Sequence, residues 1–179
     1  MKNLTGLILL LMTICVFSAC RKNDNPKLPD GIKNSVLPQL LPPADYTGNF
    51  NNINTFSNVI NVGLYFPNGE KPTKMDLYVT YLDDYSKPKL LKADITTYPT
   101  PVTVTGKMLL DAFGLTAADL APGDFFGMTV DMTFRDGTVK KGFQVGVDAN
   151  GNPINIEPYG GDAYGFPDSY PMLYYTYKP

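Results

Sequence analysis

Apolar and polar side chains alternate through most of this chain, and the alternation predicts where strands belong. From Asn58 to Phe66, residues Ile60, Val62, Leu64 and Phe66 share one parity and predict a strand with a single apolar face. Pro67-Asn68-Gly69-Glu70 breaks the pattern with the Asn-Gly pair that tight hairpin turns favour. Met75, Leu77, Val79 and Tyr81 resume it until Asp83-Asp84-Tyr85-Ser86-Lys87-Pro88 ends it again. Leu91, Ala93 and Ile95 predict a third strand, and Val102 with Val104 a short fourth. The most regular run lies between Gly123 and Arg135, where Phe126, Met128, Val130, Met132 and Phe134 all fall on one side. Thr129, Asp131, Thr133 and Arg135 then mark a solvent side. After the hairpin signal Asp136-Gly137, residues Val139, Phe143, Val145 and Val147 predict a partner strand, wet at Lys140 and Lys141. A turn over residues 148–153 precedes Ile154-Asn155-Ile156, and residues Met172 to Tyr177 predict a last strand.

Only one stretch has helical spacing. Met108, Leu109, Ala112 and Phe113 lie on one helical face, Thr105 suits the N-cap, and Gly114 suits the position after the helix. Thr116 and Asp119 have the spacing of a second capping turn, which ends at Pro122-Gly123. About seven short strands, turns rich in Gly and Asn, and no βαβ rhythm predict an all-β fold. The expected version is an immunoglobulin-like Greek-key β-sandwich with the helix as a crossover between its sheets. There is no tryptophan and no cysteine pair in the domain, so the expectation concerns architecture alone.

The first nineteen residues do not belong to that pattern. Met1-Lys2-Asn3 is a short charged start, and Leu4 to Phe17 is apolar except at Thr5, Gly6 and Thr13. Such a run suits the h-region of a signal peptide and is short of the ~20 apolar residues that span a bilayer. Two endings fit the small residues Ser18-Ala19. One is a secretory cut that leaves Cys20 as a free thiol. The other, favoured here, is a lipobox: Phe17-Ser18-Ala19-Cys20 resembles the bacterial lipoprotein signal, with Phe17 where leucine is more usual. A cysteine thiolate is a strong nucleophile, and a lipidated Cys20 would bury enough methylene for stable membrane anchoring. The chain's other cysteine, Cys15, reads as an apolar filler of the discarded segment. Residues 1–19 are thus expected to be a lipoprotein signal peptide, and residues 20–43 a lipidated cysteine followed by a Pro-rich tether. Prolines 26, 29, 38, 42 and 43 keep such a segment extended. Val36, Leu37, Leu40 and Leu41 within it offer an apolar set able to dock as a first strand. Residues 44–179 form the expected sandwich domain, placed in the cell envelope at the outer membrane.

Composition narrows the chemistry. The formal net charge is -2 and the positive side chains are scattered, which argues against a nucleic-acid partner. There is no histidine, so the commonest general base and the Ser-His and Cys-His pairs are excluded. No phosphate-binding loop, nucleophile elbow or zinc-helix motif occurs, and no cofactor or metal is implied. A two-carboxylate glycosidase would have to draw on Glu70, Glu157 and the aspartates. Asp83, Asp84, Asp136 and Asp148 all stand in turn signals, where aspartate caps its own backbone. Asp148, Asn150 and Asn152 have calcium-loop spacing, but Pro153 and Tyr159 occupy the places where that loop needs glycine and glutamate. The protein is therefore read as non-catalytic.

The C-terminus gathers Tyr159, Tyr164, Phe166, Tyr170, Tyr174, Tyr175 and Tyr177 beside glycines and aspartates. Tyrosine combines a flat apolar face with a hydroxyl, which suits stacking on sugar rings. Residues 159–168 hold too much glycine and proline for a strand. Tyr159, Tyr164 and Phe166 in that loop are the ligand-binding candidates, with packing back onto the sandwich as the competing role.

The lipobox, the Pro-rich spacer, and the run from VTVTGKMLLDAFGLTAADLAPGDFF to MTVDMTFRDGT resemble small surface lipoproteins of Bacteroidetes. That resemblance implies an immunoglobulin-like domain, often associated with glycan-uptake systems, that binds glycans or serves as an accessory subunit. Expected partners are the membrane through the lipid on Cys20, and a polysaccharide. The alternative is a structural or adhesive surface module whose partner is another envelope protein.

Overall fold

The computed structural model describes residues 36–179. The expected signal peptide, Cys20 and the tether as far as residue 35 lie outside the described residues.

The described chain is mostly antiparallel β-structure. Strands β1 (Pro38–Leu41), β3 (Ser57–Leu64) and β6 (Thr100–Thr105) form one three-stranded sheet in the order β1-β3-β6. A larger sheet runs β2 (Asn49–Phe50), β11 (Leu173–Tyr177), β7 (Phe125–Thr133), β4 (Lys74–Tyr81), β5 (Lys89–Ile95), with β8 (Val139–Lys140) also paired to β7. Every pairing is antiparallel except β2 with β11. Strands β9 (Gln144–Val147) and β10 (Pro153–Ile156) make a separate hairpin.

Alternation decides the registers. Leu40 sits opposite Val62, and Ile60 opposite Val102. Across the larger sheet Met75 faces Met132, Leu77 faces Val130, and Val79 faces Met128. These side chains join Phe126, Leu173, Tyr175 and Leu109 in one core. Each fully buried aliphatic side chain there contributes ~1.5–3 kcal/mol, the largest favourable contribution available to a domain without disulfides.

The predicted helix is present as α1 (Gly106–Phe113), linking β6 of the small sheet to β7 of the large one. Thr105 is extended and its hydroxyl accepts from Met108 N at 3.3 Å, while Gly114 closes the helix at φ 66°. Gly106 has a second reason to be glycine: its amide donates to Phe56 O at 2.9 Å, and an added Cβ would lie 2.7 Å from the Ile53 carbonyl carbon. In the following one-turn 3-10 helix, Asp119 Oδ2 accepts from Thr116 N at 2.7 Å.

Four expectations change. The count of about seven strands becomes eleven segments, because two-residue pairings escape pattern reading and residues 139–147 split into β8 and β9; the turn over 148–153 before Ile154-Asn155-Ile156 is that of the β9–β10 hairpin. Residues 139–147 do not form one partner strand for β7. β8 stops at Lys140, and further along the same edge of β7, β11 pairs with residues 125–128 through Leu173 opposite Met128 and Tyr175 opposite Phe126. Thr129 and Asp131 do not face open solvent: Thr129 is buried with its hydroxyl on Pro171 O at 2.8 Å, and Asp131 accepts from Gly142 N at 2.9 Å. Gly142 passes so close over β7 that an added Cβ would lie 2.7 Å from Val130 O. Finally, the domain starts before residue 44. Val36, Leu37 and Leu40 are buried, so the docking strand offered by that apolar set forms, and only Leu41 of the set is exposed.

Candidate functional site

The C-terminal aromatic segment leaves the β9–β10 hairpin, passes by β1, and enters the large sheet as β11. Gln39 Nε2 donates to Asp168 O at 2.8 Å, and Leu40 N donates to Tyr170 O at 2.8 Å, so β1 pins the segment in place. Within it, Gly160–Gly165 turns into the short helix α2 (Gly161–Gly165), which Ser169 Oγ braces by donating to Ala163 O at 2.6 Å. The glycine and proline content predicted a non-strand segment here, and this turn is how the chain realises it.

The three candidate residues separate. Tyr159 is only 5% exposed, and Lys140 Nζ lies 5.0 Å from the centre of its ring. Its hydroxyl points beside Thr129 without reaching hydrogen-bond geometry, and burial pushes the phenol up from its usual range. Tyr159 therefore packs, and lends an edge to the surface. Tyr164 is exposed on α2, and its hydroxyl donates to Glu157 Oε2 at 2.9 Å. Burial of the hydroxyl, then that carboxylate, raises its pKa and keeps the phenol neutral.

Phe166 is 43% exposed and has the partners that make a platform. Its ring lies parallel to that of Tyr65 at 5.7 Å and 13°, and edge-on to Phe66 at 6.2 Å and 78°. Tyr65 and Phe66 meet edge-to-face at 4.9 Å. Tyr65 is half-buried and its hydroxyl donates to Pro167 O at 3.0 Å, which fixes the stack from below. Phe66 is 46% exposed, and sequence parity placed it wrongly on the buried face. The strand ends at Leu64, so the parity no longer applies; the signal was the Pro67-Asn68-Gly69 turn directly after it.

Phe66 and Phe166 border a hollow of ≈ 300 Å3 that also touches Leu37, Lys140, Tyr159 and Asp162. Two apolar ring faces beside an acidic side chain can hold the C–H face of a ring and accept hydrogen bonds from its hydroxyls.

The turn aspartates differ in their surroundings. Asp148 Oδ1 accepts from Asn150 N at 2.8 Å and Asn152 N at 2.9 Å, which lowers its pKa and makes it the cap of the hairpin turn. Asp83 stands in the turn after β4 at φ 55°, and its carboxyl pKa is raised by burial and by nearby Glu157. No group of three or more Cys, Asp or Glu among the described residues is placed to hold a metal ion. No protein-family model, curated protein or solved structure matches this chain.

Proposed function

We propose that this protein is a lipid-anchored envelope protein whose domain binds glycan without catalysing its breakdown. The observation that carries the reading is the exposed pair Phe66 and Phe166, held rigid by Tyr65 at the edge of a hollow. Rigid, solvent-facing rings lose little entropy when a sugar stacks on them, and a soluble domain has no folding reason to expose two together. Anchoring is through Cys20 at the outer membrane, with residues 21–35 as the spacer that lets the domain reach its ligand.

The domain is read as an immunoglobulin-like Greek key. In support, the chain crosses between the two larger sheets from β3 to β4, from β5 to β6, and again through α1 from β6 to β7. Affinity electrophoresis through gels containing individual polysaccharides tests the function. Wild type should be retarded by at least one, and Phe66→Ala with Phe166→Ala should abolish the retardation. Equal mobility of wild type and double variant in every gel refutes it.

A second reading, an adhesive module for another envelope protein, is favoured by the β9–β10 hairpin. Val147 there is 70% exposed, and Val145, Ile154 and Ile156 are exposed with it. Cross-linking in intact cells that yields no protein partner excludes this role.

A further inference from the structure

The outer face of the three-stranded sheet carries a second depression, a groove of ≈ 470 Å3. Gln39 and Asn61 reach it from β1 and β3, on the side of the sheet opposite Leu40, Ile60 and Val62. Its walls are Pro67 and Lys71 from the β3–β4 connection and Tyr98 from the β5–β6 connection. Its floor is Gly63.

Gly63 is not required by the fold at this position. It lies within β3 with no left-handed φ, and an added Cβ would meet the Pro99 ring at 3.4 Å, an ordinary contact. Gly63 is buried beneath Pro99, and its missing side chain lets that proline close over β3 at the edge of the groove. Among the described residues, the Asn61 amide and the exposed Lys71 ammonium have no side-chain hydrogen bond or ion pair. Gln39 uses its Nε2 on Asp168 O and keeps Oε1 as an acceptor. Tyr98 is immobilised because its hydroxyl donates to Ile95 O at 3.0 Å, so its ring is a fixed wall.

We infer that this groove is a second glycan subsite, selective for a pyranose that carries a carboxylate or sulfate. The inference rests on the glycan reading above and adds the ligand's charge. One flat ring wall, two amides for hydroxyl groups and one cation unmatched by an acid complement a hydroxylated ring with one negative group. The two sites belong to one surface. The β3–β4 connection sends Phe66 to the aromatic platform and Pro67 with Lys71 to the groove, so a single extended glycan crossing that turn touches both.

Affinity electrophoresis with polygalacturonate, chondroitin sulfate and a neutral galactan tests this with four proteins: wild type, Lys71→Ala, Gly63→Leu, and the Phe66→Ala/Phe166→Ala double variant. At least one acidic polymer should bind wild type about tenfold more tightly than the galactan, the gain expected from one charge-assisted hydrogen bond. Retardation by polygalacturonate alone assigns the carboxylate, and by chondroitin sulfate alone the sulfate. Lys71→Ala should erase the preference, and Gly63→Leu, which would push Pro99 aside and reshape the groove, should weaken binding of the acidic polymer. Near-ultraviolet circular dichroism checks that Gly63→Leu is folded, and Lys71→Ala, an exposed change, carries the test if it is not. If both groove variants run like wild type while the double variant loses retardation, the groove is refuted and the platform stands. If no polymer retards wild type, both fall.

Discussion

Replacing Gly106 by alanine adds one methyl group where β6 becomes α1, and its consequence can be worked from the surrounding atoms. On propensity alone the change would help, since alanine is favoured over glycine in a helix by ~1 kcal/mol. The structure reverses the sign. The new Cβ would lie 2.7 Å from the Ile53 carbonyl carbon and overlap the oxygen outright, against a comfortable carbon contact of ~3.5–4.0 Å. Backbone rather than a flexible side-chain end is in the way, so the 51–56 loop or the helix start must shift by about 1 Å. Overpacking of this kind costs ~1–3 kcal/mol and sometimes more. The shift also strains the Gly106 N to Phe56 O hydrogen bond of 2.9 Å, which contributes ~1 kcal/mol. Set against the propensity gain, the net loss is ~1–3 kcal/mol, a fall in Tm of roughly 2–12 °C for a domain near 150 residues. Thermal unfolding followed by circular dichroism measures it. Gly114→Ala is the control: nothing lies within 4 Å of its added Cβ, so only the left-handed φ of 66° opposes it, at ~1–2 kcal/mol. A Gly106→Ala protein that melts at or above the wild-type temperature would show that Ile53 does not pack against the helix start.

Three further outcomes follow from named groups. Tyr175 is 1% exposed with an unpartnered hydroxyl, so Tyr175→Phe should raise the urea midpoint, with ~1 kcal/mol gained; a lower midpoint refutes the packing. Burial raises the Asp131 carboxyl above the ordinary 3.8, an effect that Gly142 N–H and Lys141 oppose and Asp76 reinforces. The neutral acid is thus favoured in the folded state, and this group's contribution to stability grows as pH falls from neutral through its raised pKa. Asp131→Asn should raise the urea midpoint at about pH 7 and flatten its change down to about pH 4, and parallel curves would contradict this. Cys20→Ala should release the protein from the membrane fraction or leave the signal uncut, and wild-type fractionation and maturation would remove the anchor.

Local chemistry was readable wherever it acts over a few residues. Thr105 and Gly114 bracket the helix because a cap hydroxyl and a left-handed glycine work within one turn. Ile60, Met75, Leu77, Met128 and Leu173 are buried because period-two alternation forces one face inward whatever the partner strand is. The same local logic excluded histidine chemistry and made Asp148 a turn cap, which its bonds to Asn150 N and Asn152 N make it.

Only tertiary structure could decide which strand takes which edge and which face is covered. Val139 to Val147 carry a good strand pattern, yet they pair with β7 only at Val139 and Lys140, and β11, distant in sequence, pairs further along that edge. Thr129 looks solvent-facing until Gly142 and Pro171 close over it. Among the candidate aromatics, composition put Tyr159, Tyr164 and Phe166 on one footing, and the fold separated them. Tyr159 went under Lys140, Tyr164 to Glu157, and Phe166 onto Tyr65, beside a Phe66 that parity had hidden. Alternation records that a residue is apolar and which way it points within a strand. Which ring ends in the core and which at the surface depends on long-range contacts that no short window of sequence contains.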